Sequence, residues 1–222
     1  MLKKIVFEKN IFDAIICLDA DIPDPSFFHE LRDLPVFAAD GAGVRLNKLD
    51  IEPDYIVGDL DTFDKSRLAG KNISSTVIRM PDQETNDFEK TLKFAQSKQN
   101  ETLLIVGIHG GVLEHTLNNW SVFMRYAKMM DLCIYDKGRY GIPAFDSISM
   151  DLKQNEIISL IPQPKAVLTT HGLKWELNNE NIELGYREGA RNIAINGEVN
   201  IEIHSGSLLI FIDSRLPYAP GV

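Results

Sequence analysis

ADGAGVRLNKLDIEPDYIVGDLDTFD, residues 39–64, sets turn glycines and acids at the ends of two short apolar runs. Val36-Phe37-Ala38-Ala39 leads into Asp40-Gly41, and Tyr55-Ile56-Val57 leads into Gly58-Asp59, with Asp61 close behind. Apolar runs this short, separated by a helix-compatible segment, read as parallel strands of an α/β sheet, and such sheets bind ligands beyond the carboxyl ends of their strands. Acids and glycines at that edge predict a site for a magnesium-bound nucleotide.

Outward from this stretch the pattern repeats. Strand-like runs fall at Ala14–Leu18, Thr76–Met80, Thr102–Ile108 and Leu132–Tyr135. Between them, Asn86–Gln99 places Phe88, Leu92 and Ala95 on one helical face, and Val112–Met130 is expected to turn Leu113, Leu117, Val122 and Met129 inward. The alternation predicts a mostly parallel sheet covered by helices. After Tyr140 the period changes. Ser147–Leu152, Glu156–Ile161, Ala166–Thr169, Leu173–Leu177, Asn192–Ile195, Val199–His204 and Ser207–Ile212 are short runs separated by Pro, Gly and Asn, as in an antiparallel sandwich. The expected organisation is therefore an α/β nucleotide-binding catalytic domain over residues 1–140 and an all-β sandwich over 141–222, with Gly and Pro clustering at the junction.

Composition narrows the chemistry. The 222 residues are 44% apolar, enough for one large core or two modest ones, and a formal net charge of −9 argues against a nucleic-acid or membrane-surface partner. A phosphorylated substrate must then be met by local groups and a metal. Cys17 and Cys133 lie within apolar runs and read as buried thiols. Without a signal-peptide pattern or an apolar run near 18 residues, the expected location is the cytoplasm.

Three motifs carry the candidate chemistry. Asp59 and Asp61 flank one residue past a strand, and carboxylate oxygens are the hard ligands magnesium prefers. Asp82-Gln83-Glu84-Thr85-Asn86-Asp87 precedes a helix carrying Lys90 one turn in; these polar residues also suit ordinary helix capping, so a catalytic Asp87 requires this helix start to face the Asp59 loop. Gly107-Ile108-His109-Gly110-Gly111 opens the next helix, where backbone amides can approach phosphate, and His115 follows in its first turns. No nucleophile elbow or zinc-ligand spacing is present.

Taken in order, ADGAGVRL, PDYIVGDLDT, DQETNDFEK, GIHGGVLEHTLNN and THGLKWEL resemble the thiamine pyrophosphokinase family over most of the chain. The resemblance implies an N-terminal α/β domain, a C-terminal β-sandwich that binds thiamine, a homodimer, and transfer of pyrophosphate from ATP to the thiamine hydroxyl with release of AMP. It implies Asp59, Asp61 and Asp87 as Mg2+ ligands and Lys90 as a catalytic partner. Asp40, Gly41, Arg45, Thr62, Gly110, Gly111 and His115 are implied on the nucleotide side, and Trp175 and Asn192 on the thiamine side. Besides the mild replacements Ala42, Thr62 and Asn86, two departures from the family pattern matter: Val112 stands where the family has Arg, with Glu114 lengthening its Asp, and Arg191 stands where it has Ser. A pyrophosphokinase for another hydroxymethyl heterocycle, such as a pterin, and a nucleotide-binding module without catalysis are the rival readings.

Overall fold

The computed structural model describes residues 2–61, 74–195 and 197–221. The chain divides into two compact units, one running from Phe12 to Lys137 and the other joining the residues up to Ile11 with those from Gly138 onward.

The first unit is an α/β layer. Its strands are β2 (Ala14–Cys17), β3 (Val36–Ala39), β4 (Tyr55–Gly58), β5 (Thr76–Arg79), β6 (Thr102–Val106) and β7 (Asp131–Asp136). They pair in parallel in the order β7-β6-β2-β3-β4-β5. All residues of β2 and β3 and all but the first of β6 are buried, which explains why these strands are continuous apolar runs without alternation. The connecting helices are α1 (Pro25–Glu30), α2 (Ala42–Lys48), α3 (Asp87–Ser97) and α4 (Leu113–Tyr126). At the start of α3 the Asn86 side chain accepts the Glu89 N–H at 2.9 Å, satisfying a donor that the first helical turn leaves unpaired. Phe88, Leu92 and Ala95 are buried as their spacing predicts.

Helix α4 departs from its pattern. Val122, Phe123 and Tyr126 face the core, whereas Leu113 and Leu117 are 68% and 62% exposed and Met129 beyond the helix is also exposed. The helix docks by its second half. Tyr126 Oη donates to Glu89 of α3 at 2.9 Å, and Arg125 pairs with the same carboxylate. With its hydroxyl buried and bonded to that carboxylate, Tyr126 has its pKa pushed up to about 12.

The second unit is all β among its described residues: β1 (Lys3–Lys9), β8 (Arg139–Ala144), β9 (Ile148–Asp151), β10 (Ile157–His171), β11 (Glu180–Glu183), β12 (Gly189–Ile193), β13 (Glu198–Asp213) and β14 (Tyr218–Gly221). Strand β1 precedes the α/β unit in sequence but pairs with β9 and β14. The runs expected as four short strands, 156–161 with 166–169 and 199–204 with 207–212, form two long ones. β10 and β13 pair with each other along most of their length. The N-terminal half of β10 also pairs with β12, and its C-terminal half with β11; the first half of β13 lies beside β9 and the second beside β8. Each long strand thus has different outer neighbours along its two halves. The corner falls where Pro162 and Pro164 remove ladder donors and the β10–β13 register shifts, opposite Gly206. Gly206 has φ +84°, and a Cβ there would lie 2.0 Å from the Lys165 carbonyl oxygen. The run Leu173–Leu177, expected as a strand, contributes only the isolated bridge Leu173↔Ala194.

Candidate active site

Strand β2 lies between β3 and β6, so the strand order reverses there and a crevice opens beyond the carboxyl ends of these strands. A cleft of about 420 Å³ occupies this edge. It is lined by Leu18–Ala20 after β2, Ala39–Gly41 after β3, Arg45 on α2, Asn86–Phe88 at the start of α3, and Gly110–Val112, His115, Thr116, Asn118 and Asn119 around the start of α4.

The acids converge through strand register. Ala39 pairs with Val57 and the Asp40 N–H donates to the Val57 carbonyl at 2.9 Å, which sets Asp40 beside Gly58. Carboxylate oxygens of Asp40, Asp59 and Asp87 all lie within 4.8 Å of one another. Asp40 adopts φ 39°, a left-handed conformation that Asp tolerates, and is buried. Gly58 leaves the space the acids occupy: a Cβ at this position would stand 2.8 Å from Asp40 Cβ and 3.1 Å from Asp87 Oδ1. Asp61 is not a member of this group; its backbone N–H donates to Asp59 Oδ1 at 3.3 Å, so the residue orients the neighbouring carboxylate. Thr62 lies outside the described residues.

Lys90 completes the cluster from within the fold. Its side chain is 2% exposed, and Nζ donates to Asp87 Oδ1 at 3.1 Å and to Asp59 Oδ2 at 3.4 Å. Burial pushes the ammonium pKa down, but the hydrogen bonds and charges of Asp87 and Asp59 outweigh it and hold the group above the usual lysine value. Burial likewise pushes Asp59 up; the Asp61 N–H, the Lys90 ammonium and the Gln83 amide, 3.2 Å away, outweigh it and hold the carboxyl below its usual range. Three carboxylates and one ammonium leave a surplus of about two negative charges. Oxygens sharing one small divalent ion at about 2.1 Å lie at most about 4.2 Å apart, close to the spacing here, so this hard donor set fits such an ion after small side-chain adjustment.

The cleft also presents donors. Arg45 donates to the Ala20 carbonyl at 3.1 Å and pairs with Asp19, which holds its guanidinium at the wall. Gly110 and Gly111 have φ +113° and +67°. At Gly110 a Cβ would stand 2.3 Å from Asp21 Oδ1, whereas at Gly111 it would meet nothing within 4 Å, so the second glycine opens onto free space. Thr116 Oγ1 donates to the Gly110 carbonyl at 3.2 Å and steadies the turn. Val112, at the N-cap of α4, contributes an exposed apolar side chain and no cap hydrogen bond.

Asp59, Asp87, Lys90, Arg45, Gly110, Gly111 and His115, all expected in this region, lie at the cleft or in the acid cluster beside it. Not expected from the sequence are Asp40 as a member of the acid cluster, Gln83 as a partner of Asp59, and Asn119, which accepts from the Asn86 amide at 3.3 Å. The DG pair after β3 was the available signal for Asp40. Trp175 and Asn192 lie in the β-rich unit, where Trp175 is exposed and Asn192 buried. Arg191 is exposed, and its backbone N–H donates to Ser159 Oγ at 3.0 Å.

An α/β unit with an acid cluster and a glycine turn at its switch point, joined in sequence to a β-rich unit, defines a class of two-domain proteins with a polar cleft at the sheet edge. Within it, the pattern described as the thiamin pyrophosphokinase catalytic domain matches residues 33–134, and that of the thiamin pyrophosphokinase vitamin B1 binding domain matches residues 147–208. The chain belongs to the thiamine pyrophosphokinase family. It is 26% identical over 174 residues to thiamine pyrophosphokinase 1 of rice, covering 72% of this chain and 65% of the rice protein. It is 27% identical over 197 residues to the thiamine pyrophosphokinase of Bacillus subtilis, covering 85% of this chain and 91% of that one. In fold it is similar to the thiamin pyrophosphokinase of Candida albicans, with a TM-score of 0.76 at 15% identity over 96% of this chain and 94% of that one. The Bacillus subtilis thiamine pyrophosphokinase structure gives a TM-score of 0.71 at 23% identity, with 91% and 99% covered.

Proposed function

We propose that this protein is an ATP:thiamine pyrophosphotransferase. The observation that carries the reading is the buried Lys90 bonded to Asp59 and Asp87 beside Asp40, at the sheet edge where a glycine turn opens a helix. In the reaction the thiamine hydroxyl oxygen attacks the β-phosphorus of ATP. The bond from that phosphorus to the α,β-bridging oxygen breaks, AMP leaves, and the hydroxyl proton passes to a carboxylate of the acid cluster.

Asp40, Asp59 and Asp87 would hold a magnesium ion, which would supply charge neutralisation to the transferring phosphates. Asp61 keeps Asp59 in place through its N–H. Arg45 and the Gly110-Gly111 amides, with the α4 N-terminus behind them, receive the phosphates, and His115 lines the same wall. Lys90 balances the acids and keeps their oxygens from repelling one another while the site is being filled. Trp175 offers an exposed indole face for the thiamine rings, and the outward position of Arg191 keeps its charge away from the thiazolium. The working form is a cytoplasmic homodimer.

AMP release from magnesium-ATP, measured with and without thiamine, tests the reading. Thiamine-dependent AMP formation is the expected result. AMP release only with a pterin or another hydroxymethyl heterocycle would shift the acceptor, and nucleotide binding without AMP release would make the protein a non-catalytic binder.

A further inference from the structure

The segment from Gly172 to Leu177 carries Trp175 but has almost no ladder of its own. Apart from the Leu173↔Ala194 bridge, flanked by the Lys174 N–H to Ile193 carbonyl bond of 2.8 Å and the Ile195 N–H to Gly172 carbonyl bond of 2.9 Å, and the Thr170 N–H to Leu177 carbonyl bond of 2.9 Å, side chains hold it. Glu176 Oε1 accepts the Gly172 N–H at 2.9 Å, and the buried Thr170 hydroxyl accepts the Leu177 N–H at 2.9 Å. Between these two ties, Asn192 grips Trp175 itself. Its Oδ1 accepts the Trp175 N–H at 3.1 Å and the Ile193 N–H at 2.8 Å, while Nδ2 donates to the Trp175 carbonyl at 2.7 Å.

One side-chain amide thus pairs with both backbone groups of residue 175, as a neighbouring strand would, and three of its four hydrogen-bonding positions are spent on backbone. Asn192 is 7% exposed, whereas Trp175 is 55% exposed and lies under the Lys174 ammonium, 4.7 Å from the ring centroid. The backbone is fixed, and the indole, with the Lys174 ammonium over one face, stays more than half exposed.

We propose that Asn192 is a positioning residue for Trp175: it locks the backbone of residue 175 so that the indole face is presented ready for a flat, cationic heterocycle, and does not itself bind the substrate. The identity of that heterocycle rests on the thiamine reading above; the clamp does not. Binding to a face ordered in advance avoids the entropy of fixing it on association. Loss of the clamp therefore weakens substrate binding and leaves the chemical step alone.

The test is a double-mutant cycle with Asn192→Ala and Trp175→Ala, read as thiamine KM, kcat and ATP KM. Asn192→Ala is expected to raise the thiamine KM on the order of tenfold, the scale of one or two lost hydrogen bonds, with kcat and ATP KM within about twofold. In the Trp175→Ala background the same change is expected to add nothing further, because the residue it positions is already gone. Full additivity would make Asn192 a direct substrate contact and overturn the proposal, as would a fall in kcat or an unchanged thiamine KM. If Asn192→Ala does not fold, Asn192→Asp keeps the shape and both acceptor bonds but loses the donor to the Trp175 carbonyl, and the same outcomes apply. A second readout is independent of substrate: in a Trp120→Phe background, the fluorescence anisotropy of Trp175 should fall on Asn192→Ala. Unchanged anisotropy would overturn the clamp even in a protein that uses thiamine, whereas lowered anisotropy without thiamine-dependent AMP release would uphold the clamp and overturn the thiamine reading.

Discussion

At the scale of single residues, the acid cluster depends on a residue with no side chain. Gly58 separates Asp40 from Asp87, and a methyl group there, 2.8 Å from Asp40 Cβ, forces one of them away. Gly58→Ala should lower turnover by about a hundredfold, as displacements near 1 Å do in organised sites, while costing only about 1–3 kcal/mol of stability from overpacking. Steady-state kinetics beside thermal unfolding separates the two effects, and normal turnover would remove the cluster from the mechanism. The Asp59–Lys90 pair sets a pH window. Asp59, held below its usual pKa, contributes stability that is present above about pH 4 and lost as pH falls through its folded-state pKa. Lys90, held above its usual pKa, contributes stability below about pH 10 that is lost as pH rises through its own folded-state value. In the absence of divalent metal, the melting-temperature difference between the natural protein and Asp59→Asn should be flat from about pH 5 to 9 and shrink in acid. A difference that grows below about pH 4 would contradict the pairing.

At the scale of elements, α4 shows why a hydrophobic pattern does not by itself assign a buried face. Its apolar positions fall on more than one side, and only those of its second half meet the core. Phe123→Ala should cost about 3–5 kcal/mol, whereas Leu117→Ala should stay within about 0.5 kcal/mol, measured by chemical denaturation. Comparable losses at the two positions would place Leu117 in the core after all. The exposed apolar start of α4 borders the cleft at Val112, so its composition belongs with the site and not with folding. Strands β10 and β13 make the complementary point. Pro162, Pro164 and Gly206 read as breaks in sequence, yet in the sandwich they form the corner of continuous strands, since both proline positions can forgo a ladder donor and glycine admits the close approach of Lys165.

For the whole molecule, the acids and Trp175 lie in different compact units, so damage to each should read out in a different constant. Trp175→Ala should raise the thiamine KM by about five- to thirtyfold and leave divalent-metal binding unchanged, because an aromatic platform contributes about 1–2 kcal/mol to a cation. Asp59→Asn should weaken metal binding and cut kcat by about a hundredfold or more with little change in thiamine binding. Calorimetric titration with each ligand distinguishes these patterns. A single change that abolished both bindings would mean loss of fold. The proposed homodimer predicts sedimentation at about twice the 25.0 kDa of the chain at micromolar concentration, and a mass near 25.0 kDa would refute it.

The parallel α/β order, the α3 face, the glycine turn before α4 and the change to β structure after Tyr140 were all legible in the sequence. Each depends on local periodicity or turn chemistry, which neighbouring residues carry among themselves. What needed tertiary structure was convergence. Asp40 joins Asp59 and Asp87 because β3 and β4 pair in one register and Gly58 leaves a gap, whereas Asp61 turns its backbone to the cluster. Asn192 grips Trp175 from 17 residues away, and β1 leaves the unit it precedes to pair with β9 and β14. Spacing along a chain determines which face of its own element a residue occupies; which faces meet is decided by how those elements pack.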